Sequence, residues 1–405
     1  MRPLLGKSNL LLCVAFFVAA FAVSSAWAGN ESVGTTSANF LKIPYSARPA
    51  GMGEAFTAIS DDESAFAYNP AGAAQSLQAQ LSATHIEWFQ GITLEHLGGI
   101  MPLGGFGTGG LGVTWLDAGS LVATQRVANN LSDPLGNYIQ TGTFDPYDLA
   151  IDLAWAWQPY QQWDVGVGVK LIQQAIDTSS GWGAEVDLGL QRTGLWGWLD
   201  SGAEIQNLGT SIAVGSTGSS QPLTFRAGLD GRFFERRLSV AADLAVPIDN
   251  GPVPSVGLEW WVAQPLALRA GWMGGYASQP TAGLGFRFSI FQLDYAYQPF
   301  TELGNTHRLT ASVNLGAPGA SVSALRPLLG PLGESAWREG GFELKPDKKA
   351  SVQSWRLSVL AKDGTVVNVY DGDGPPPLRV DWAGHDGQDG VLPDGLYTAR
   401  LDLVY

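Results

Sequence analysis

Between residues 79 and 315 the chain alternates apolar and polar residues one for one, segment after segment. In Trp163–Leu171 the set Trp163, Val165, Val167, Val169 and Leu171 faces one way, and Asp164, Gly166, Gly168 and Lys170 the other. In Asp148–Gln158, Leu149, Ile151, Leu153, Trp155 and Trp157 alternate with Asp148, Ala150, Asp152, Ala154, Ala156 and Gln158. The same period runs through Ala184–Gln191, Ala282–Ser289, Phe291–Gln298 and Arg308–Leu315. Successive side chains of a strand point to opposite faces, so a two-residue period gives sheet with one apolar face.

A soluble sandwich shows this alternation too. Three further features select a transmembrane barrel. The segments run to about 9–11 residues, enough to cross a bilayer at a tilt. Tryptophans cap the apolar faces (Trp88, Trp115, Trp157, Trp163, Trp182, Trp198, Trp260, Trp272), and Trp and Tyr favour the membrane–water interface. Connections alternate between short and long, as periplasmic turns and outer loops do. The expectation is an all-β chain whose barrel of roughly fourteen antiparallel strands occupies 79–315. Charges on the second face then point into the lumen. They include Asp152, Lys170, Glu185, Asp187, Arg226, Glu259, Arg269, Arg287 and Asp294, with Asp148, Asp164, Glu204, Asp230, Asp243 and Arg308. The bland reading of this set is salt-bridged filling of a polar interior; the functional one is a ligand path.

Residues 1–28 have the build of a secretory leader: Arg2 and Lys7, an apolar run from Leu10 to Val23, and Ala26-Trp27-Ala28 as cleavage site. Leu11 and Leu12 precede Cys13 where a lipidated cysteine needs small residues, which argues against a lipoprotein. Cys13 is the only cysteine, so the mature chain has no disulfide, thiol nucleophile or cysteine metal site. The net charge of −14 becomes two units more negative once the leader leaves. Nucleic acid is thereby a poor partner.

The segment from Asn39 to Gly72 stands between leader and barrel. Ser60-Asp61-Asp62-Glu63 reads as a capping box, with Ser60 as N-cap and Glu63 reaching back. The helix it opens carries Ala65, Phe66 and Tyr68, and Asn69-Pro70 stops it. Ser60, Glu63, Phe66, Asn69, Pro70 and Gly72 are the candidate hatch residues.

Residues 316–350 are rich in Pro, Gly and Ser and read as a linker. Residues 351–405 form a small all-β module, with strands at Trp355–Leu360, Val366–Tyr370, Leu378–Trp382 and Tyr397–Val404 and turns at Asp363-Gly364, Asp371-Gly372 and Pro393-Asp394-Gly395. The acidic run Asp381–Asp389 lacks calcium-loop spacing and reads as turn chemistry. A rival reading makes Gly395–Tyr405 a last barrel strand, at the cost of a proline-rich stretch in the wall.

The text NFLKIPYSARPAGMGEAFTAISDDESAFAYNPAG, with PAGMGEAFTA and NPAG as its specific parts, resembles the PorV/PorQ (UPF0164) family of outer-membrane proteins in the FadL-like barrel class. The resemblance covers about 34–315. It implies a fourteen-stranded barrel with an N-terminal hatch segment, here 29–78, at or inside the periplasmic mouth. It implies either transport of small hydrophobic or amphipathic molecules or, as in type IX secretion, a platform for a secreted or periplasmic protein partner. RLSVLAKDGTVV, VDWAGHDGQDG and VLPDGLYTARL are similar to the Ig-like module of FlgD-type hook-capping proteins, with Ala383 interrupting the usual pattern after Trp382. That module is expected in the periplasm and is open to being incomplete at Tyr405.

Catalytic fingerprints are missing, and the reading is of a non-enzymatic protein without cofactors. His85 and His96, on adjacent strands with Glu87 nearby, are the one weak metal candidate. A one-residue slip in register would put the two rings on opposite faces.

Overall fold

The computed structural model describes residues 32–127, 137–160, 162–234, 236–263, 265–275, 279–300, 303–316, 320–325, 340–346, 352–388 and 390–404. The leader lies outside the described residues. The chain divides into two compact units, Met1–Leu315 and Gly316–Tyr405.

In the first unit fourteen strands close into a barrel. They are β1 (Ala79–Glu87), β2 (Thr93–Pro102), β3 (Thr108–Asp117), β4 (Tyr147–Tyr160), β5 (Trp163–Ile176), β6 (Ser179–Leu195), β7 (Leu199–Gly209), β8 (Thr224–Phe233), β9 (Leu238–Pro247), β10 (Val253–Ala263), β11 (Leu266–Met273), β12 (Gln279–Phe288), β13 (Phe291–Pro299) and β14 (Asn305–Leu315). Each pairs antiparallel with its neighbours in sequence, and β1 closes on β14 from Ala79↔Leu315 to Glu87↔His307. Closure leaves no sheet edge, so every wall amide can be satisfied inside a bilayer. We call the end where Leu315 leaves the wall the near end.

The alternation sets the two faces as expected. Leu97, Leu111, Leu153, Trp155, Leu188 and Leu284 lie exposed on the outside, while Asp152, Asp187, Arg269 and Asp294 are buried inside. Of the tryptophans read as interface caps, Trp88 instead packs against Phe89 and Phe300, with the Arg308 guanidinium over its ring. The far-end connections after β3 and β7 hold hairpins, Leu121–Val127 with Asn137–Phe144 and Ile212–Val214 with Thr217–Ser219. Strands β4 and β5 have 14 residues and β6 has 17. All three exceed a bilayer crossing of about 9–11 residues.

The N-terminal segment lies inside this wall. Thr36 and Lys42 bond Asp249, and Ser37 bonds Ser219 and Ser220, all on far-end connections. Gln75 bonds Asp164, beside a near-end turn, just before β1 begins. Residues 36–76 therefore thread the full height of the lumen rather than resting at one mouth, and most of them are buried.

The capping box does not form. Ser60 has φ of +33° and its Oγ donates to Phe56 O, while Glu63 turns to His96. Ser64 occupies the N-cap position of the helix Ala65–Tyr68. A surface helix needs a capping box; this one is buried, and wall side chains satisfy its approach. Asn69 accepts from Ala71 N and starts the 3₁₀ turn Pro70–Gln75.

The second unit is a pair of three-stranded sheets. One holds β15 (Ala320–Ala324), β16 (Gly341–Pro346) and β19 (Arg379–Asp381). The other holds β17 (Ser354–Ala361), β18 (Val366–Asp373) and β20 (Tyr397–Val404). Phe342, Leu344, Leu357, Val359, Val380 and Trp382 form the core between them. β15 and β16 fall within the span read as a linker; their patterns are too short to stand out among Pro and Gly. β20 pairs with β17 from Ser354↔Val404 onward, so Tyr397–Val404 is not a wall strand. Asp386 accepts from Gln388 N and Gly390 N, which is turn chemistry.

Candidate functional site

The site is the seam between plug and wall. Inward positions on six wall strands are glycine where the plug backbone arrives: Gly166, Gly189, Gly202, Gly257, Gly271 and Gly283. A Cβ at Gly166 would overlap Pro70 and Ala71, one at Gly202 would overlap Thr57, and one at Gly271 would overlap Met52 and Gly53. On β3 the Phe66 ring fills the space a Cβ of Gly110 would need. The glycines that weaken each strand thus let a second backbone approach the wall directly.

Polar clamps hold the plug in this cradle. Arg48 donates from Nε and Nη2 to the two oxygens of Glu259 on β10, both at 2.9 Å, and from Nη1 to Asp61 at 2.6 Å and Asp62 at 2.7 Å. Asp243 on β9 accepts from the amides of Phe56 at 2.9 Å and Thr57 at 2.8 Å. Gln191 on β6 donates to Ala58 O at 2.6 Å. Glu63 lies 2.7 Å from His96 Nε2, and the Tyr45 ring stacks on that imidazole at 3.5 Å. Asn69 Nδ2 donates to Thr57 O at 2.9 Å and Leu190 O at 3.2 Å. Gly72 lies against Ser60, where a Cβ would overlap it.

The lumen residues read from sequence gather into separate groups. Lys170 contacts Glu185 at 2.9 Å and Asp187 at 2.5 Å, one strand over from Asp152, its partner in register. Arg269 bridges Glu259 and Asp294, both at 2.7 Å. Arg287 sits near the rim, donating to Gln292 with its guanidinium over Trp261. Arg226 lies opposite Glu204 in register and over the Tyr68 ring. The metal candidate is overturned. His85 pairs in register with Glu95 and contacts it on the outer face, whereas His96 is buried in the lumen. Glu87 shares the parity of His85, and among the described residues no group suits a metal ion.

One group differs from the rest. Arg308 is 1% exposed, yet Nε, Nη1 and Nη2 have no hydrogen-bond partner among the described residues. Glu54 Oε1 stands 4.0 Å from Nη1. The Glu204 carboxylate and the Tyr68 hydroxyl also lack hydrogen-bond partners there. Burial pushes the Glu54 carboxyl above its ordinary range, against the pull of Arg308 and Arg226. A buried polar group without partners is costly, which sets this group apart from the paired charges around it.

Arg48 was not singled out from sequence as a site residue, though a signal exists: it is the only Lys or Arg between Lys42 and Arg126. A lone cation in an apolar stretch needs a buried acid.

Residues 16–115 match the model of an uncharacterised protein family, UPF0164. No curated protein matches the chain. Among solved structures, the chain is similar to the toluene transporter TodX of Pseudomonas putida at 16% identity, covering 67% of this chain and 97% of that one, with a TM-score of 0.44. It is similar to the CymD monoaromatic hydrocarbon channel at 14%, covering 67% and 97%, with a TM-score of 0.46. A Pseudomonas aeruginosa FadL homologue matches at 12%, covering 67% and 98%, with a TM-score of 0.44. The family match spans the plug, the first two wall strands and most of the third, so in that stretch the chain is similar to the UPF0164 family, the group named above from the PAGMGEAFTA and NPAG text.

Proposed function

We propose that this protein passes small hydrophobic or amphipathic molecules across the outer membrane, with residues 36–76 as the gate. The observation that carries the reading is the character of the seam. A filler that never moves is best held by apolar packing. Here apolar contacts such as Phe40 with Ile172 and Ala50 with Ala296 are interrupted by polar ones from Arg48, Asp243 and Gln191 and by backbone contacts with glycines. Buried ion pairs roughly break even against their own desolvation, so such a seam holds position and can still be exchanged for water. The Arg308 guanidinium beside it, without a hydrogen bond among the described residues and with Glu54 at 4.0 Å, suits the polar end of an amphipathic solute. The short near-end turns favour placing that end, and with it the C-terminal unit, in the periplasm.

Toluene, the solute of one structural neighbour, is the first probe. Cells carrying the protein should take it up several-fold faster than cells lacking it; equal rates would overturn the reading.

A second reading is a platform for a partner protein. It is favoured by the far-end hairpin, which exposes Leu121, Val122, Tyr138 and Ile139, more apolar surface than a solvated loop needs. Deleting 121–137 should abolish recovery of the partner from membranes while the barrel still folds. Undiminished recovery would count against it.

A further inference from the structure

The outer face of the wall is not evenly bulky. Leu190, Ala203, Ala227, Leu244 and Pro254 are successive cross-strand partners from β6 to β10. All five line a single trough of about 630 Å³, together with Gly202, Gly228 and Asp243, whose carboxylate turns inward to the plug. Ser201, Leu229 and Ala242 line the next row, so the small residues Ala203, Ala227, Ser201 and Ala242 lie between Leu190, Leu229 and Leu244. Four strand spacings make the trough roughly 19 Å long, running across the tilted strands and so obliquely over the outer face.

One end of this apolar trough is charged. Arg192 and Trp163, partners in register on β6 and β5, line it close to the near-end turns. The guanidinium carbon lies 5.1 Å from the Trp163 ring centroid, and Nε is buried without a hydrogen-bond partner among the described residues. An arginine on the lipid-facing side is costly unless it meets an interface or an anion. Arginine is the side chain best shaped to grip a phosphate oxygen.

We infer that this face binds one glycerophospholipid, with an acyl chain in the trough over Ala203, Ala227 and Ala242 and its phosphate on Arg192. The complementarity is of shape and charge together: an apolar slot of acyl length ending in one cation beside an aromatic ring. A second copy of the chain would have to supply an anion at one end of an otherwise apolar ridge. A free phosphate would use Arg192 and leave the trough empty.

The test is native mass spectrometry of the whole protein in detergent with added dioleoylphosphatidylglycerol, and in parallel with dioleoylglycerol, which lacks the phosphate. The wild type should hold one phosphatidylglycerol at low micromolar lipid. Ala227→Trp, which fills the slot, should hold none. Arg192→Gln should weaken phosphatidylglycerol about tenfold and leave dioleoylglycerol unchanged. Should Ala227→Trp fail to fold, Ser201→Leu fills the same slot from the next row and is read in its place. No lipid on the wild type, equal retention by the filled variants, Arg192→Gln binding phosphatidylglycerol as tightly as wild type, or a dimer in place of a lipid adduct would each overturn the inference.

Discussion

Two arginines in one lumen, Arg269 and Arg308, share residue type, inward orientation and near-complete burial, at 3% and 1% exposure. Arg269 donates to Glu259 and Asp294, and Glu259 in turn takes both ends of the Arg48 fork. Arg308 makes no hydrogen bond among the described residues, with one carboxylate at 4.0 Å. The first is part of the wall's own scaffolding. The second carries unsatisfied donors beside the plug. Burial of a charge therefore does not by itself single out a site in this barrel; the proposed gate rests on burial without a hydrogen bond.

The comparison breaks if the two respond alike to truncation. Arg269→Ala leaves Glu259 and Asp294 without their shared cation and should cost roughly 3–5 kcal/mol, seen as a lower urea midpoint in detergent micelles. A smaller loss follows from Gly271→Val, which overpacks the cradle against Met52 and Gly53 by roughly 1–3 kcal/mol. Its signature is protease cleavage within 36–76 while the barrel stays folded. Arg48→Met should cost about 1 kcal/mol, because Glu259 keeps Arg269 while Asp61 and Asp62 are partly solvated. It should quicken solute uptake by loosening the gate. Arg308→Met loses no hydrogen bond and should leave the urea midpoint unchanged or raise it. It should slow uptake of solutes with an acidic head and spare neutral ones. A midpoint drop as large as that of Arg269→Ala would end the distinction.

The wall was legible because its period is unambiguous. Trp163–Leu171 and Phe291–Gln298 can face only one way in a barrel, and the inward charges follow from that parity. The partners of those charges were not legible, since pairing depends on which strands adjoin and on the plug. Arg48 and Glu259 are 211 residues apart, and no local pattern joins them. Ser60 and Glu63 misled because a capping box has meaning only at a solvated helix end. His85 and His96 misled because two rings in adjacent strands meet only if they share parity. β15 and β16 hid among prolines and glycines in segments of five and six residues.

The most direct test of the gate is a reversible tether between plug and wall. Ala50 on the plug and Ala296 on β13 are buried against each other, and the only native cysteine, Cys13, lies in the segment read as the leader. In an Ala50→Cys/Ala296→Cys variant, oxidation should abolish solute uptake and reduction should restore it. Uptake that continues at the wild-type rate with the tether fully formed would show that the plug does not gate the barrel.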